Sequence, residues 1–465
     1  MTRTRSHDTP QQPQVRGACP GVAAPMTSGD GLLLRVRHPV GGLTLEQAEA
    51  LAAAAERHGN GRLELTSRGN LQLRGVTRTT LTDAQTALIR AGVADADPER
   101  EAVRNVLAAP VTDLDPTAVA DGAPVARAVA DAVADHPRLR GLPPKTGIVV
   151  DGGGTLGVPD VYADVRLDAV PVAQGVAWRV GLAGRAADAR PVGTIGPQDT
   201  AAAVVALLEA LVDLAGEGQP PRMATALLER GEAPFRRALA PWSGDVVAPE
   251  PGDRQAPRAA DGWLQAEFPF GALEAWQLRG LAVLARERRL APETPPTLRL
   301  TPWRSVLITG MEPAAVTALG ELGAITDAAD PRRGLGACVG APGCASATTA
   351  TRDDALALEA VAPTLLAAGE RVHVSGCGKG CGAPAHAGVT LVADAGYYAM
   401  TLTGGVAHAP DWPPAPPATV RRRVAALDTL FARERHAPRE SLDAFISRLG
   451  RESVVRRVEE ETTRV

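Results

Sequence analysis

The sequence predicts an α+β fold built by internal duplication, and three features of its pattern indicate this class. A strand–helix–strand–strand pattern of about fifty residues comes first. The pattern returns in the second half of the chain, with Gly75 matched to Gly310 at an offset of 310 − 75 = 235 residues. Between the copies, strands alternate with an Ala-rich helix, as in an α/β layer. The 465 residues suffice for three or four compact units.

The first copy begins with a predicted strand over Gly31–Arg37, followed by a helix. Thr44 as N-cap and Gln47 three residues later form a capping box, and His58-Gly59 ends the helix. The segments RLELT and NLQLRG, between Arg62 and Gly75, alternate in polarity with period two, which is typical of half-buried strands. This unit is half of a ferredoxin-like arrangement.

The second copy is recognised by short matches to the first. Asp30-Gly31 recurs as Asp261-Gly262, and LELT of Leu63–Thr66 recurs as LRLT of Leu298–Thr301. A helix is predicted between these matches over Leu273–Arg289. The chain is therefore expected to contain two ferredoxin-like half-domains related by a pseudo-twofold axis.

The duplication extends to the segments that follow each half-domain. The matched pairs are Ala109-Pro110 with Ala341-Pro342, and IVVDGGG from Ile148 with VHVSGCG from Val372. This alignment places Val106 opposite Cys338 and Gly153 opposite Cys377, so we expect the first half to hold no metal. A ligand cavity is expected at the interface between the halves, with cations from the first and a metal centre from the second.

Strands are also predicted in VYADVRL and GVAWRVGL, and a helix over Ala201–Ala215. Composition and repeats divide the chain into seven segments. These are a disordered leader at 1–17, a first ferredoxin-like half-domain at 18–80, a first α/β domain at 81–240, a linker at 241–260, a second half-domain at 261–312, a second α/β domain at 313–408, and a Pro-rich then helical tail at 409–465.

Composition excludes several classes of protein. A net charge of −4 leaves no basic excess to hold a nucleic-acid backbone. The most apolar run, from Ala201, is too short and too charged to span a bilayer, and the N-terminus lacks the apolar core of a signal sequence. We therefore expect a cytoplasmic protein. Cys19 stands apart from the other cysteines and is expected to be a small buried residue.

Four of the five cysteines lie between Gly334 and Gly382, spaced C-x5-C (Cys338, Cys344) and C-x3-C (Cys377, Cys381). In structural zinc sites, two to four residues usually separate the cysteines of a pair, so the five residues between Cys338 and Cys344 suit zinc poorly. Four thiolates on Gly-rich loops suit a 4Fe-4S cluster better. A zinc site and a disulfide-bonded pair of hooks remain as alternatives.

Cations and amides gather in a few short segments. They are Arg68, Asn70, Gln72 and Arg74 in TSRGNLQLR, Arg104 and Asn105 in VRNV, Lys145 in LPPK, Arg304 in TPWRS, and Lys379 within the second cysteine pair. Each alone could be a solvated surface charge. Together they predict a basic cavity that binds a polycarboxylate through charge-assisted hydrogen bonds.

The order T-S-R-x-N-x-Q-x-R, R-N-V, L-P-x-K, C-x5-C and C-x3-C resembles the sulfite/nitrite reductase superfamily along about residues 18 to 405. Within it, RGACPGVAAPMTSGDGLLLRVR and TPWRSVLI are most similar to the precorrin-3B synthases of oxygen-dependent cobalamin synthesis. The resemblance implies an oxidoreductase that uses O2 and an electron donor, either an NADH-linked reductase or a ferredoxin, to hydroxylate C20 of precorrin-3A and form a γ-lactone.

The resemblance also assigns roles to residues. Arg68, Arg104 and Lys145 match basic residues on the distal face of the reductases' tetrapyrrole, and we expect Arg104 and Lys145 to be catalytic. The second distal lysine of the reductases is replaced by Gly147, which disfavours sulfite reduction because that chemistry needs cations around an oxyanion. Nitrite reductases carry a different polar residue at that position, so the glycine disfavours nitrite reduction less.

The resemblance implies a 4Fe-4S cluster and a possible non-haem iron. His373 and His386 are near the cysteines in sequence but lack a convincing carboxylate partner, so both are expected to be structural. Two other functions remain open. One is a ferredoxin-dependent sirohaem nitrite or sulfite reductase, the only alternative that requires sirohaem, and the other is a non-catalytic iron–sulfur carrier or tetrapyrrole-binding scaffold.

Overall fold

The computed structural model describes residues 20–37, 40–173, 175–216, 218–244, 259–260, 262–291, 295–438 and 440–464. The chain divides after Ala328 into two compact units, which we call the first unit (from Cys19) and the second unit (from Ala329). The predicted leader, residues 245–258 of the predicted linker and Cys19 lie outside the described residues. No described helix combines the length and the apolar character needed to cross a lipid bilayer.

The first unit opens with the predicted strand–helix–strand–strand unit. Its elements are β1 Met26–Ser28, β2 Gly31–Val36, α1 Leu45–His58, β3 Arg62–Leu65 and β4 Leu71–Val76. The capping box at the start of α1 is confirmed, because the Thr44 side chain accepts from Gln47 N and the Gln47 side chain accepts from Thr44 N. One face of the antiparallel sheet buries the alternating leucines against α1.

An α/β domain follows. Its elements are α2 Leu81–Arg90, α3 Pro98–Val103, β5 Val106–Ala108, α4 Ala123–Asp135, β6 Ile148–Asp151, β7 Ala163–Val172, β8 Gly175–Gly184, β9 Arg190–Ile195, α5 Thr200–Asp213, α6 Met223–Arg230 and α7 Ala233–Leu239. The sheet order is β5-β6-β7-β8-β9, parallel up to β7 and antiparallel after it. Trp178, Leu207 and Phe235 are fully buried in its core.

The first unit ends with the second half-domain. Its elements are β10 Ala259–Ala260, β11 Trp263–Glu267, β12 Ala272–Glu274, α8 Ala275–Glu287, β13 Leu298–Leu300, β14 Ser305–Thr309 and α9 Val316–Glu321. The repeat is confirmed: β11, α8, β13 and β14 follow the order of the first copy. The predicted helix start at Leu273 is wrong, because Glu274 caps α8 and Leu273 lies in β12.

The two half-domains exchange short strands. β12 does not pair with the strands of its own half-domain. It pairs instead with β3 of the first half-domain, with Ala272 opposite Glu64. In the reciprocal contact, Leu43 and Leu298 exchange backbone hydrogen bonds in both directions, at 2.8 and 2.9 Å. With α1 packed beside α8, the two copies share one apolar core.

The second unit repeats the sheet of the first α/β domain. Its elements are β15 Leu335–Ala337, α10 Thr351–Glu359, α11 Pro363–Ala367, β16 Val372–Ser375, β17 Ala387–Asp394, β18 Tyr397–Gly404, β19 Trp412–Ala415, α12 Pro417–Glu434, α13 Leu442–Leu449 and α14 Arg451–Arg464. The order β15-β16-β17-β18-β19 and the strand directions match those of the first sheet. The prolines of the predicted Pro-rich stretch lie partly in β19, an edge strand, where a missing N–H is tolerated. The helices that follow agree with the predicted helical tail.

Candidate functional site

The four cysteines lie on loops that leave the carboxyl ends of β15 and β16. Cys338 directly follows β15, and its N–H donates to the carbonyl of Val374 at 3.2 Å, which continues the pairing of the two strands. Gly376, just after β16, donates its N–H to the Sγ of Cys338 at 3.1 Å. An N–H aimed at a sulfur stabilises a thiolate more than a thiol, so this loop is built to carry negative charge.

The four thiols lie close enough to influence one another. Burial raises the pKa of Cys381, and the neighbouring Cys377, Cys338 and Cys344 raise it further, whereas Lys379 lowers it. All four are free thiols, which contradicts the disulfide alternative. A positive metal centre bound by the four thiolates would offset this mutual repulsion. Metal binding is a usual function of clustered cysteines.

The four cysteines can be compared with two kinds of metal centre. In the described part of the chain, no three His, Cys, Asp or Glu side chains converge on a point where one metal ion would fit. Four sulfurs around a single zinc, with Zn–S near 2.3 Å, would lie only about 3.8 Å apart. A 4Fe-4S cluster places its thiolates on the corners of a larger body, and the donor set of four thiols on glycine loops fits that group.

Small residues keep the cysteine loops closely packed. A β-carbon at Gly340, whose φ is +70°, would lie 2.4 Å from Oγ1 of Thr351, and one at Gly380 would lie 2.5 Å from the side chain of Val406. Thr351 in turn donates to the carbonyl of Cys338 at 2.8 Å. The buried Tyr398 donates to Asp354 at 2.6 Å, on the helix that starts at Thr351.

In the first unit, Arg68 and Asn105 meet over the backbone of Gly147. A β-carbon at Gly147 would lie 2.7 Å from Nη1 of Arg68 and 3.3 Å from Nδ2 of Asn105. The Asn105 amide donates to the carbonyl of Thr146 at 2.8 Å. Among the described residues, no carboxylate lies within ion-pair distance of the Arg68 guanidinium, which is half-buried. This arrangement leaves a cation able to bind an anion.

Asp164 fixes the segment that carries Gly147. Gly147 donates its N–H to Oδ2 of Asp164 at 2.9 Å, and Asp164 donates its own N–H to the carbonyl of Gly147 at 2.8 Å. The Asp164 carboxylate is fully buried and also accepts two hydrogen bonds from Arg222, at 2.8 and 3.0 Å. The loop from Lys145 to Gly147 is therefore held on both sides.

Tyr162 is a candidate that the sequence patterns did not single out. It is half-buried two residues before Asp164, and the structure gives its phenol oxygen no hydrogen-bond partner among the described residues. Burial raises the pKa of Tyr162, the nearby Asp164 raises it further, and Arg222 and Arg68 oppose the shift. Its hydroxyl is thus within the electrostatic influence of Arg68. The chain has only three tyrosines, and this scarcity is the signal in the sequence that could have drawn attention to Tyr162.

Arg104 has a carboxylate partner. Its Nη1 lies 3.1 Å from Oε2 of Glu101, one turn earlier on α3, and Glu101 is only 2% exposed. Burial raises the pKa of Glu101, although the N–H of Asp95 and the charges of Arg104 and Arg37 act against the shift. Arg104 therefore differs from Arg68, because part of its charge is already neutralised.

Arg74, whose predicted role in substrate binding stays a prediction, is buried between carboxylates. Its side chain is 3% exposed and donates two hydrogen bonds to Asp30, each at 2.9 Å, with Glu64 at 3.6 Å. This buried cation of β4 links two carboxylates, Glu64 of β3 and Asp30 of the turn between β1 and β2. Asn70 is also buried, at the turn between β3 and β4, whereas Gln72 is half-buried opposite Glu64 and Arg35 on the polar face of the sheet.

The remaining predicted residues lie at loops. Lys145 is exposed in the turn that leads to β6, and Arg304 lies in the turn between β13 and β14 with a φ of +61°. Lys379 lies in the second unit between Cys377 and Cys381, near enough to lower the Cys381 pKa. His373 is buried on β16 and His386 is exposed just before β17. The roles of Lys145, Arg304 and Lys379 stay predictions, as does a cavity between the two halves.

The sheet registers correct the alignment of the repeats. Ile148 and Val372 are equivalent in the repeat, and they pair with Val106 and Leu335 respectively. Val106 therefore corresponds to Leu335 and not to Cys338. The residue that corresponds to Cys338 is Ala109, which makes the same backbone bond to the neighbouring strand. The alignment of Gly153 with Cys377 is confirmed by the register of β6 and β16. Neither position in the first half carries a thiol.

Comparison with known proteins gives three further findings. Residues 24–91 match the family "Nitrite/Sulfite reductase ferredoxin-like half domain". The chain is 36% identical over 398 residues to a precorrin-3B synthase of Sinorhizobium sp, covering 84% of this chain and 83% of that protein. It is 26% identical over 408 residues to a ferredoxin–nitrite reductase of Synechococcus elongatus, covering 79% and 77%.

A solved structure shares the fold. The structure of the Mycobacterium tuberculosis NirA protein superposes with a TM-score of 0.65 at 17% sequence identity, covering 91% of this chain and 84% of that chain. This likeness agrees with the duplicated half-domains and paired α/β sheets described above.

Proposed function

Because the chain belongs to the precorrin-3B synthase family of the sulfite/nitrite reductase superfamily, we propose that it hydroxylates C20 of precorrin-3A with O2 and closes a γ-lactone in aerobic cobalamin synthesis. The observation that carries this proposal is the Arg68 guanidinium, held over Gly147 beside Asn105 with no carboxylate partner among the described residues. Precorrin-3A carries several acetate and propionate groups, which such a cation binds.

The chain's own residues would bind and orient this polyanion. Asp164 fixes the loop that carries the exposed Lys145, and Asn105 and Arg68 contact that loop at Thr146 and Gly147, so the three side chains are positioned before substrate arrives. Arg104 would contribute less to binding than Arg68, because it shares its charge with Glu101. Tyr162, whose pKa Arg68 influences, would offer a hydroxyl donor to a carboxylate oxygen of the same ligand.

The four cysteines would hold a 4Fe-4S cluster, which supplies single electrons when bound. One-electron chemistry is needed because triplet O2 reacts slowly with singlet organic molecules. A non-haem iron belongs to the proposal without assigned ligands. The electron donor would be an NADH-linked reductase or a ferredoxin, and we place the reaction in the cytoplasm, where thiols stay reduced.

A sirohaem nitrite or sulfite reductase is the alternative, and it is supported less well. The nitrite reductase relative is 26% identical, against 36% for the precorrin-3B synthase. Gly147 supplies no second distal cation, which disfavours sulfite reduction and disfavours nitrite reduction less. A strong sirohaem absorption band in the protein as isolated would favour the reductase.

A single-turnover assay tests the proposal. The reduced holoprotein is mixed with precorrin-3A and labelled O2, and we expect one labelled oxygen atom in a lactone product. Lys145→Ala should lower tetrapyrrole affinity or rate about thirtyfold if the lysine meets substrate, while Arg421→Ala on the exposed face of α12 changes neither. A product without label, or no turnover from protein with a full cluster, would exclude the monooxygenase and favour a carrier or scaffold.

A further inference from the structure

The turn between β13 and β14 repeats the turn that presents Arg68. Thr66 donates its N–H to the carbonyl of Asn70 at 2.9 Å, and Thr301 donates to the carbonyl of Ser305 at 3.0 Å. Each turn also has a residue in the left-handed region, Gly69 at φ +65° in the first and Arg304 at φ +61° in the second. The equivalence places Trp303 where the first half has Arg68.

Trp303 and Arg304 depart from what a simple surface turn needs. Trp303 leaves 37% of its large apolar side chain exposed. Arg304 adopts a left-handed backbone that disfavours every residue with a β-carbon, whereas the equivalent Gly69 has none. A strained arginine beside an exposed tryptophan indicates that these side chains are retained for contact with a ligand.

A third turn joins the two equivalent ones. Phe270 and Gly271 precede β12, whose Ala272 pairs with Glu64 of β3, so they lie where β3 runs into the Arg68 turn. Gly271 also touches the other turn, because a β-carbon there would lie 2.8 Å from Cβ of Arg304. Phe270 is half-buried and itself has a positive φ, at 63°. The strand exchange thus brings both repeated turns to one edge of the first unit.

We propose that Trp303 and Phe270 form an apolar surface that stacks on the flat ring system of a tetrapyrrole, while Arg304 binds a carboxylate at the rim of that ring. The proposal rests on the proposed function and adds residues for the macrocycle, since Arg68 and Asn105 recognise only its acidic side chains. Aromatic side chains bind flat conjugated rings through their faces, and an adjacent guanidinium matches the carboxylates that surround a tetrapyrrole.

Trp276 provides a matched control. It is more exposed than Trp303, at 53%, and it lies in the first turn of α8, outside the three turns described above. If an exposed indole alone attracted tetrapyrroles, both residues would contribute. The proposal requires that only Trp303 does.

The test is an anaerobic titration of the full-length holoprotein with uroporphyrin III, a stable tetrapyrrole polycarboxylate, followed by tryptophan fluorescence and by porphyrin absorbance. Trp303→Ala should weaken binding about tenfold or more. Trp303→Phe should keep affinity within about threefold and remove much of the fluorescence quenching, because the ring remains but the indole is lost. Trp276→Ala should change neither readout.

Two outcomes would overturn the proposal, and they are distinguishable. Wild-type affinity in a folded Trp303→Ala variant would remove Trp303 from the binding surface and leave the proposed function intact. Failure of the wild-type protein to bind both uroporphyrin III and precorrin-3A would exclude the proposed function together with this surface. Iron content and thermal unfolding of each variant establish that it is folded and loaded.

Discussion

The Arg68 guanidinium lies against Gly147, so that a β-carbon at Gly147 would be 2.7 Å from Nη1 of Arg68. Arg68 comes from the turn between two strands of the first half-domain, and Gly147 comes from the loop before β6. Because Gly147 has no side chain, it leaves room for the guanidinium of Arg68. The position of the Arg68 cation therefore depends on which residue occupies position 147.

Gly147→Ala should displace the Arg68 guanidinium and weaken uroporphyrin III binding about tenfold or more, because a carbon cannot approach the nitrogen that closely. The backbone itself tolerates alanine, since Gly147 is not among the glycines with positive φ. Gly141→Ala, six residues earlier in open space, is the control and should bind normally. Equal affinity in both variants would show that Arg68 does not need this position.

The sequence predicted the elements whose signals are local. Thr44 and Gln47 define the start of α1 through their own hydrogen bonds. The spacing of the four cysteines predicts a metal-binding set from the sequence alone. β12 was missed because three residues carry no periodicity and its partner β3 lies far away in sequence. Alternation predicts the face of the strand on which Arg74 lies, but it does not predict the carboxylates of Asp30 and Glu64 that neutralise Arg74.

Replacing any one of Cys338, Cys344, Cys377 or Cys381 with alanine should abolish the 4Fe-4S content and lower soluble yield, because ligation stabilises the loops that carry the thiols. Iron and acid-labile sulfide per chain are the measurements. Cys19→Ala, the control, should retain both. A variant with full iron and sulfide would remove that cysteine from the ligand set.

Arg304→Gly and Arg304→Ala should separate backbone strain from ligand contact. Both lose the guanidinium and should weaken uroporphyrin III binding by the same factor. Only glycine adopts the left-handed conformation at φ +61° without strain. We therefore expect the free energy of unfolding of Arg304→Gly to be about 1 kcal/mol higher than that of Arg304→Ala. Urea denaturation of the two variants measures the difference. Equal stabilities would mean that the turn relaxes when the arginine is removed.

The free energy of unfolding of the Glu101→Gln variant, relative to that of the wild type, should increase as pH rises. The folded-state pKa of Glu101 is raised by burial, so its contribution to stability is complete below the unfolded-state pKa and is lost as pH rises through the folded-state value. Glutamine does not ionise and avoids that loss. Denaturation midpoints between about pH 5 and pH 7.5 measure the effect.

Glu99→Gln provides the control for Glu101, because it removes an exposed carboxylate from the same helix and shows the general effect of the charge change. A Glu101→Gln stability difference that stays constant with pH would contradict the raised pKa. It would also indicate that Arg104 neutralises Glu101 completely.

The exchange of short strands between the half-domains has a consequence for the ancestry of the chain. β12 pairs with β3 while Leu43 pairs with Leu298, which is the reciprocal pattern that two identical subunits make when they swap a segment. The simplest ancestor is a homodimer of one half-length chain, later joined by gene fusion. In a homodimer every mutation appears in both subunits, so a one-sided site cannot evolve. Fusion removes that restriction, and the two copies now differ at these positions, with thiols at Cys338 and Cys377 in one and Ala109 and Gly153 in the other.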